Sequence, residues 1–142
     1  MNRIKLFVIG LAVIVPAFAH HSAAAEYDFK NLVTVTGTVT KVEWMNPHAR
    51  FYADVKGADG KIANWEFQTG SPNQLMRMGW KRDSLKVGEV VTVDAYRAKD
   101  GDTLGDAQSI TLSNGRKILA GSGDGAPSKQ GEAKPGDSAP AK

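Results

Sequence analysis

The chain of 142 residues has no cysteine, which excludes disulfides, thiol catalysis and thiolate metal sites together. Stability in an oxidising compartment must then come from a packed core. Histidine is almost as scarce, with only His20, His21 and His48. An excess of one charge is missing as well. The formal charge is +3, but without Arg3 and Lys5 of the leader described below, 16 basic residues face 15 acidic ones. A net charge of +1 sets up no long-range field toward phosphate backbones or anionic lipid, and nucleic acid is not an expected partner. Ser-His-Asp, Cys-His and nucleophile-elbow patterns are absent, so no catalytic residue is assigned. The one long apolar run, Leu6–Val15, is too short to span a bilayer as a helix.

That run belongs to the clearest signal in the chain. A short basic start, Met1–Lys5, precedes it; Pro16 ends it; Ala17-Phe18-Ala19 then supplies the small-x-small pattern a signal peptidase reads. Residues 1–19 are expected to be a secretory signal, with a mature protein beginning at His20 in the bacterial periplasm or outside the cell. An uncleaved anchor fits poorly, because small and polar residues follow at once. A cut after Ala24 or Ala25 would discard both terminal histidines, but Pro16 just upstream of Ala17 favours the cut after Ala19.

From residue 20 to 120 the pattern is that of β-structure. After a polar lead-in with a helical turn near Ala24–Phe29, Val33, Val35, Gly37 and Val39 alternate with Thr34, Thr36, Thr38 and Thr40, the mark of a half-buried strand. The parity then flips to Val42 and Trp44, which predicts a bulge near Thr40–Lys41. Gly37 marks a bend or a close backbone approach. Asn46-Pro47 turns the chain into a second strand with Ala49, Phe51, Ala53 and Val55 inward. Asp59-Gly60 makes a hairpin to a third strand with Ala63, Trp65 and Phe67 inward. Ser71 as N-cap, Pro72 at the first helical position and Gln74 in a capping box predict a short helix that Gly79 stops. A fourth strand through Val91, Val93 and Ala95 and a fifth around Ala107–Leu112 follow, and Asn114-Gly115 turns the chain into Arg116–Leu119. Residues 121–142 carry no large apolar side chain and are expected to form a disordered tail rich in Gly, Pro, Ala and Ser.

Strands one to three, a helix, then strands four and five is the order of an OB-fold, a five-stranded Greek-key barrel with its helix between strands three and four. An open β-sandwich of similar size is the alternative. In the barrel, ligands lie on the outer faces of strands two and three, flanked by the loops joining strands one to two and four to five. Here those are Trp44–His48 and Lys99–Asp106, and the outward residues between them are His48, Arg50, Tyr52, Asn64, Glu66 and Gln68.

The chain resembles a family of small exported bacterial proteins of unknown function. The likeness rests on His20-His21-Ser22, Tyr27-Asp28, Gly37-Thr38-Val39, Trp44-Met45-Asn46-Pro47-His48, Asp59-Gly60-Lys61, Trp65, Gly79-Trp80, Leu85-Lys86-Val87-Gly88 and Ala98-Lys99-Asp100-Gly101. Trp-x-Asn-Pro-His is its most specific piece. The resemblance implies export and a β-rich fold, and brings no activity.

The expected function is a non-enzymatic binding module of the bacterial envelope. The candidate ligand residues are Trp44, Asn46, His48, Arg50, Tyr52 and Glu66. No cofactor is required, but a free amine and imidazole on His20, with His21 or His48, would suit copper, which prefers nitrogen ligands in tetragonal geometry. Zinc could use the same imidazoles, with Glu66 or Asp28. Against this, two histidines after a leader can serve processing alone, and His48 can simply solvate a turn. The alternatives are an envelope protein-interaction domain without a ligand and, last, a copper-dependent redox enzyme. Asp100, Asp102 and Asp106 lack calcium-loop spacing and read as a solvated acidic loop. Trp44, Trp65, Trp80, Tyr52 and Tyr96 offer aromatic surface; Trp65 has core parity.

Overall fold

A computed structural model describes residues 23–121. The expected leader, His20, His21 and the expected tail beyond Gly121 lie outside the described residues. The elements are helix α1 (Ala23–Glu26), strands β1 (Tyr27–Glu43), β2 (Arg50–Lys56) and β3 (Ile62–Gln68), helix α2 (Pro72–Arg77), and strands β4 (Val90–Ala98), β5 (Leu104–Thr111) and β6 (Lys117–Leu119). The fold is mostly β, with six strands where five were expected and two short helices where one was. The extra strand is the return arm after Asn114-Gly115; it pairs with β5 from Ser109↔Leu119 to Thr111↔Lys117.

The strands lie in the order β3-β2-β1-β4-β5-β6, each antiparallel to its neighbours. A further ladder joins β3 to β5 in parallel, from Glu66↔Leu104 to Gln68↔Asp106. The ladders therefore return on themselves. β1 makes this possible by serving two neighbours along its 17 residues: Leu32–Thr38 pairs with β4, and Gly37–Glu43 with β2. The change of partner occurs at Gly37, where the backbone of Asp54 approaches so closely that a Cβ would stand 2.7 Å from its carbonyl oxygen. The register shift falls between Val39 and Lys41, so Thr40 is the extra residue of the bulge that the parity flip predicts.

Period-two alternation carries the inner face. Val39, Phe51, Ala53, Phe67, Val91, Val93, Ala95, Ala107 and Ile110 are all essentially inaccessible. Phe51 and Phe67 stack at 4.9 Å, and Trp65 stacks on Phe67 at 5.8 Å. Each of the valine, isoleucine and phenylalanine side chains contributes about 1.5–3 kcal/mol on burial, and each alanine less. α2 joins this core through buried Leu75. Ser71 accepts the Gln74 N–H at 3.3 Å, Pro72 stands at the helix start, and Gly79 follows the helix with φ +90°.

The lead-in differs from expectation. The helical turn ends at Glu26, because Tyr27 already pairs with Ala98. Ala23, Tyr27 and Tyr96 form a small separate cluster, with Phe29 and Leu104 against it. Lys99 ties α1 down, its backbone N–H donating to the Glu26 carbonyl and its ammonium to that of Ala24. β5 starts earlier than expected, at Leu104, which corrects the reading of the acidic loop. Asp100 and Asp102 are exposed in a turn, whereas Asp106 is fully buried within β5.

Candidate functional site

Arg50, Tyr52 and Glu66 are brought together on the outer face of β2 and β3. Strand pairing sets Tyr52 opposite Glu66, Arg50 opposite Gln68 and Asp54 opposite Asn64. Arg50 Nη1 donates to Glu66 Oε1 at 2.8 Å. Tyr52 donates to Glu43 at 3.2 Å, Lys41 pairs with Glu43 at 2.5 Å, and the Lys41 ammonium lies 5.2 Å from the centre of the Tyr52 ring. Asn64 donates to Thr40 and Asp54 at 3.1 and 2.7 Å. Lys41 and Glu43 were not among the expected site residues. The signal for them was present: once the bulge reverses parity, Val42 turns inward and its two neighbours turn out.

Ionisation on this face follows from these contacts. The Lys41 hydrogen bond, helped by that of Tyr52, holds the Glu43 carboxyl below its ordinary range. Burial raises the Tyr52 phenol, and the carboxylates of Glu66 and Glu43 add to the effect. Tyr27 is buried and its phenol is pushed well above the ordinary value, first by burial and then by Glu26 and Asp106.

Between this face and the β4–β5 loop lies a recess of about 360 Å³, lined by Tyr52, Asn64, Glu66, Asp102, Thr103 and Leu104. Its volume falls in the range of small-ligand sites. The β3–β5 ladder forms one wall, with the Glu66 N–H donating to the Thr103 carbonyl at 2.9 Å.

The Trp44–His48 segment is arranged differently. Trp44 packs against the core and meets Trp80 edge-on, with ring centres 6.3 Å apart. Trp80 is buried and donates its indole N–H to the Leu119 carbonyl at 2.8 Å. Asn46 is exposed and precedes a cis peptide to Pro47; His48 is half-buried. Three buried side-chain polar atoms have no hydrogen-bond partner among the described residues: Trp44 Nε1, His48 Nδ1 and Arg50 Nε. All three fall in one stretch of seven residues. Buried polar groups in folded proteins are nearly always paired, and each unpaired one costs about 1–3 kcal/mol.

Among the described residues no group of three or more His, Asp or Glu side chains could hold a metal ion. His48 belongs to no such group, and His20 and His21 lie outside the described residues. No described helix is long and apolar enough to cross a membrane. A family model whose description is "Family of unknown function (DUF6152)" matches residues 9–107. No curated protein matches the chain.

Proposed function

The chain belongs to the DUF6152 family, whose function is unknown, and we propose that it is an exported, non-enzymatic binding module built as an OB-type barrel, with a small ligand at the outer face of β2 and β3. The topology supports the barrel: the pairings run β1-β2-β3-β5-β4 and back to β1, and α2 falls between β3 and β4. The β6 arm is an addition to that plan.

One observation carries the ligand reading, namely the three unpaired buried polar atoms between Trp44 and Arg50. Arg50 links them to the recess, since its guanidinium holds Glu66 on the recess wall. A ligand with acceptor atoms would pair the indole and guanidinium N–H groups and recover their desolvation cost.

Export and cleavage after Ala19 belong to the same proposal. Ala23 is 7% exposed beside Tyr27 and Tyr96, which supports the early cut, because cleavage after Ala24 or Ala25 would strip this residue from its site. The copper form of the reading uses His20, His21 and His48. His48 Nδ1 has no carboxylate or carbonyl to orient the ring, as metal-bound imidazoles usually do, so His20 and its amine would have to supply most of the affinity.

Native mass spectrometry of protein recovered from the periplasm tests this. The expected result is a terminus at His20 and a stoichiometric adduct, metal or organic, that Arg50→Ala removes while the circular dichroism stays native. A terminus at Ala25 or Glu26 eliminates the copper form. Bare polypeptide mass, with Trp44 and His48 ring resonances unmoved by Cu(II), would refute ligand binding and leave a protein-interaction domain.

A further inference from the structure

A second recess, of about 650 Å³, lies between the segment after α2 and the β5–β6 hairpin; Gly79, Lys81, Lys86, Val87, Glu89 and Arg116 are among its lining. Four ion pairs occur among the described residues, and none involves Arg77, Lys81, Arg82, Lys86 or Arg116. Nor does any hydrogen bond engage the side chains of these five, all of them exposed. Two carboxylates stand with them, Asp83 and Glu89. Glu89 already accepts from the Lys86 N–H at 3.4 Å and from Ser113 Oγ at 3.2 Å. The recess lining therefore carries a surplus of one positive charge, and Arg77 and Arg82 of the same segment raise the surplus to three. The near-neutral total conceals it, because the rest of the described chain is acidic.

Exposed apolar side chains accumulate in the same segment. Met76, Met78, Val87 and Val90 are 53%, 40%, 66% and 51% exposed. Val87 is the most telling. Its loop is fastened by buried Leu85, by the Gly88 N–H donating to Val39 O at 2.8 Å, and by the Val39 N–H donating to Glu89 O at 2.9 Å. A loop so held cannot fold its tip back into the core. Scattered exposed aliphatics need no explanation, but four within fifteen residues, interleaved with the four unpaired cations Arg77, Lys81, Arg82 and Lys86, give this segment an amphipathic character, and Val87 lines the recess together with Lys81, Lys86 and Arg116.

We propose that this face docks on anionic phospholipid bilayers. Lys81, Lys86 and Arg116 would meet lipid phosphates at the recess, while Val87, Met76 and Met78 enter the boundary between headgroups and acyl chains. Charge complementarity selects an anionic partner, and the aliphatic tips select a lipid surface over a free anion or a nucleic acid, neither of which offers them an apolar phase. The low net charge is no obstacle, since attraction to a charged surface acts within a screening length of about 8–10 Å and is felt by the facing residues.

Sedimentation with vesicles of phosphatidylglycerol and phosphatidylcholine, against vesicles of phosphatidylcholine alone, tests the proposal on the full mature protein. Each cation near an anionic surface strengthens binding about fivefold. Lys86→Gln should therefore weaken binding about fivefold, and the triple change Lys81→Gln, Lys86→Gln, Arg116→Gln about a hundredfold. Val87→Asp should also weaken it, and all variants should melt near the parent temperature, because every changed side chain is exposed. Arg50→Ala should bind vesicles normally, which separates this proposal from the ligand site on β2 and β3. Equal binding to both vesicle types, or full binding by the triple variant, would overturn it. So would inorganic phosphate that protects the protein from heat while neither vesicle binds, a result that would make the recess a small-anion site.

Discussion

Gly37→Ala is the sharpest test of how β1 is shared. Gly37 pairs with Val55 of β2 on one side and Val91 of β4 on the other. A Cβ there would stand 2.7 Å from the Asp54 carbonyl oxygen and 2.9 Å from Val55 Cγ2. To reach ordinary contact the oxygen must retreat by about 0.7 Å and the methyl by about 0.5 Å, as overpacked sites require. The oxygen belongs to a ladder, and β1 cannot yield the other way without disturbing β4. Overpacking of this kind costs about 1–3 kcal/mol. Alanine returns about 0.5–1 kcal/mol, because it loses less backbone entropy than glycine in a strand. Because the nearer obstacle is ladder backbone, the upper half of that range applies, and the net expectation is a loss of about 1–2 kcal/mol, or about 4–16 °C in Tm for a domain of this size. Urea and thermal unfolding followed by circular dichroism would measure it. Gly105→Ala is the comparison, since its Cβ would meet only side-chain atoms, Ala95 Cβ at 3.0 Å and Phe67 Cδ1 at 3.2 Å, and should cost less. A Gly37→Ala protein as stable as the parent would refute the account of a backbone crossing that admits only glycine.

Two further outcomes follow from local contacts. Ser71→Ala removes the cap of α2 and should cost about 1 kcal/mol in unfolding free energy; an unchanged urea midpoint would show that Pro72 and Leu75 alone hold the helix. Asp94 is partly buried, which disfavours its charge, but Ser109, Lys117 and Thr34 outweigh that and hold its carboxyl below the ordinary value. Its contribution is therefore complete above the unfolded pKa near 4 and vanishes as pH falls through the lower folded value. Asp94→Asn should be about 1–2 kcal/mol less stable than the parent at pH 7, the two converging in acid. A gap that is constant from neutral pH to about pH 2 would contradict the assignment.

Local signals read well from the sequence because local chemistry dictates them. Thr40 as the bulge residue, the capped start of α2, and the inward sets of β2 and β3 were all present as parity or turn chemistry. The face of Arg50, Tyr52 and Glu66 follows from the same parity. What was hidden depends on partners distant in the chain. Asp106 looks like a loop residue until the pairing of Gln68 with Asp106 draws it into β5. The lead-in looks helical until Tyr27 finds Ala98. The unpaired indole, imidazole and guanidinium nitrogens had no signature, because pairing depends on which groups surround them. The basic recess depends on distant partners as well, because Arg116 joins Lys81 and Lys86 only when the β5–β6 hairpin is in place.

The parallel β3–β5 ladder is only three residue pairs long, yet it joins segments nearly forty residues apart. Contacts of such separation form late in folding, because chain closure must come before any pairing repays it. Until they form, β3 and β5 each present an open edge of the kind that recruits strands from other molecules. Those three pairs therefore bear on solubility as much as on shape. Amide exchange at Glu66 and Gln68, whose N–H groups face the β5 side while that of Phe67 faces β2, would report how often that edge is bared, and hence how often the folded protein is open to self-association there.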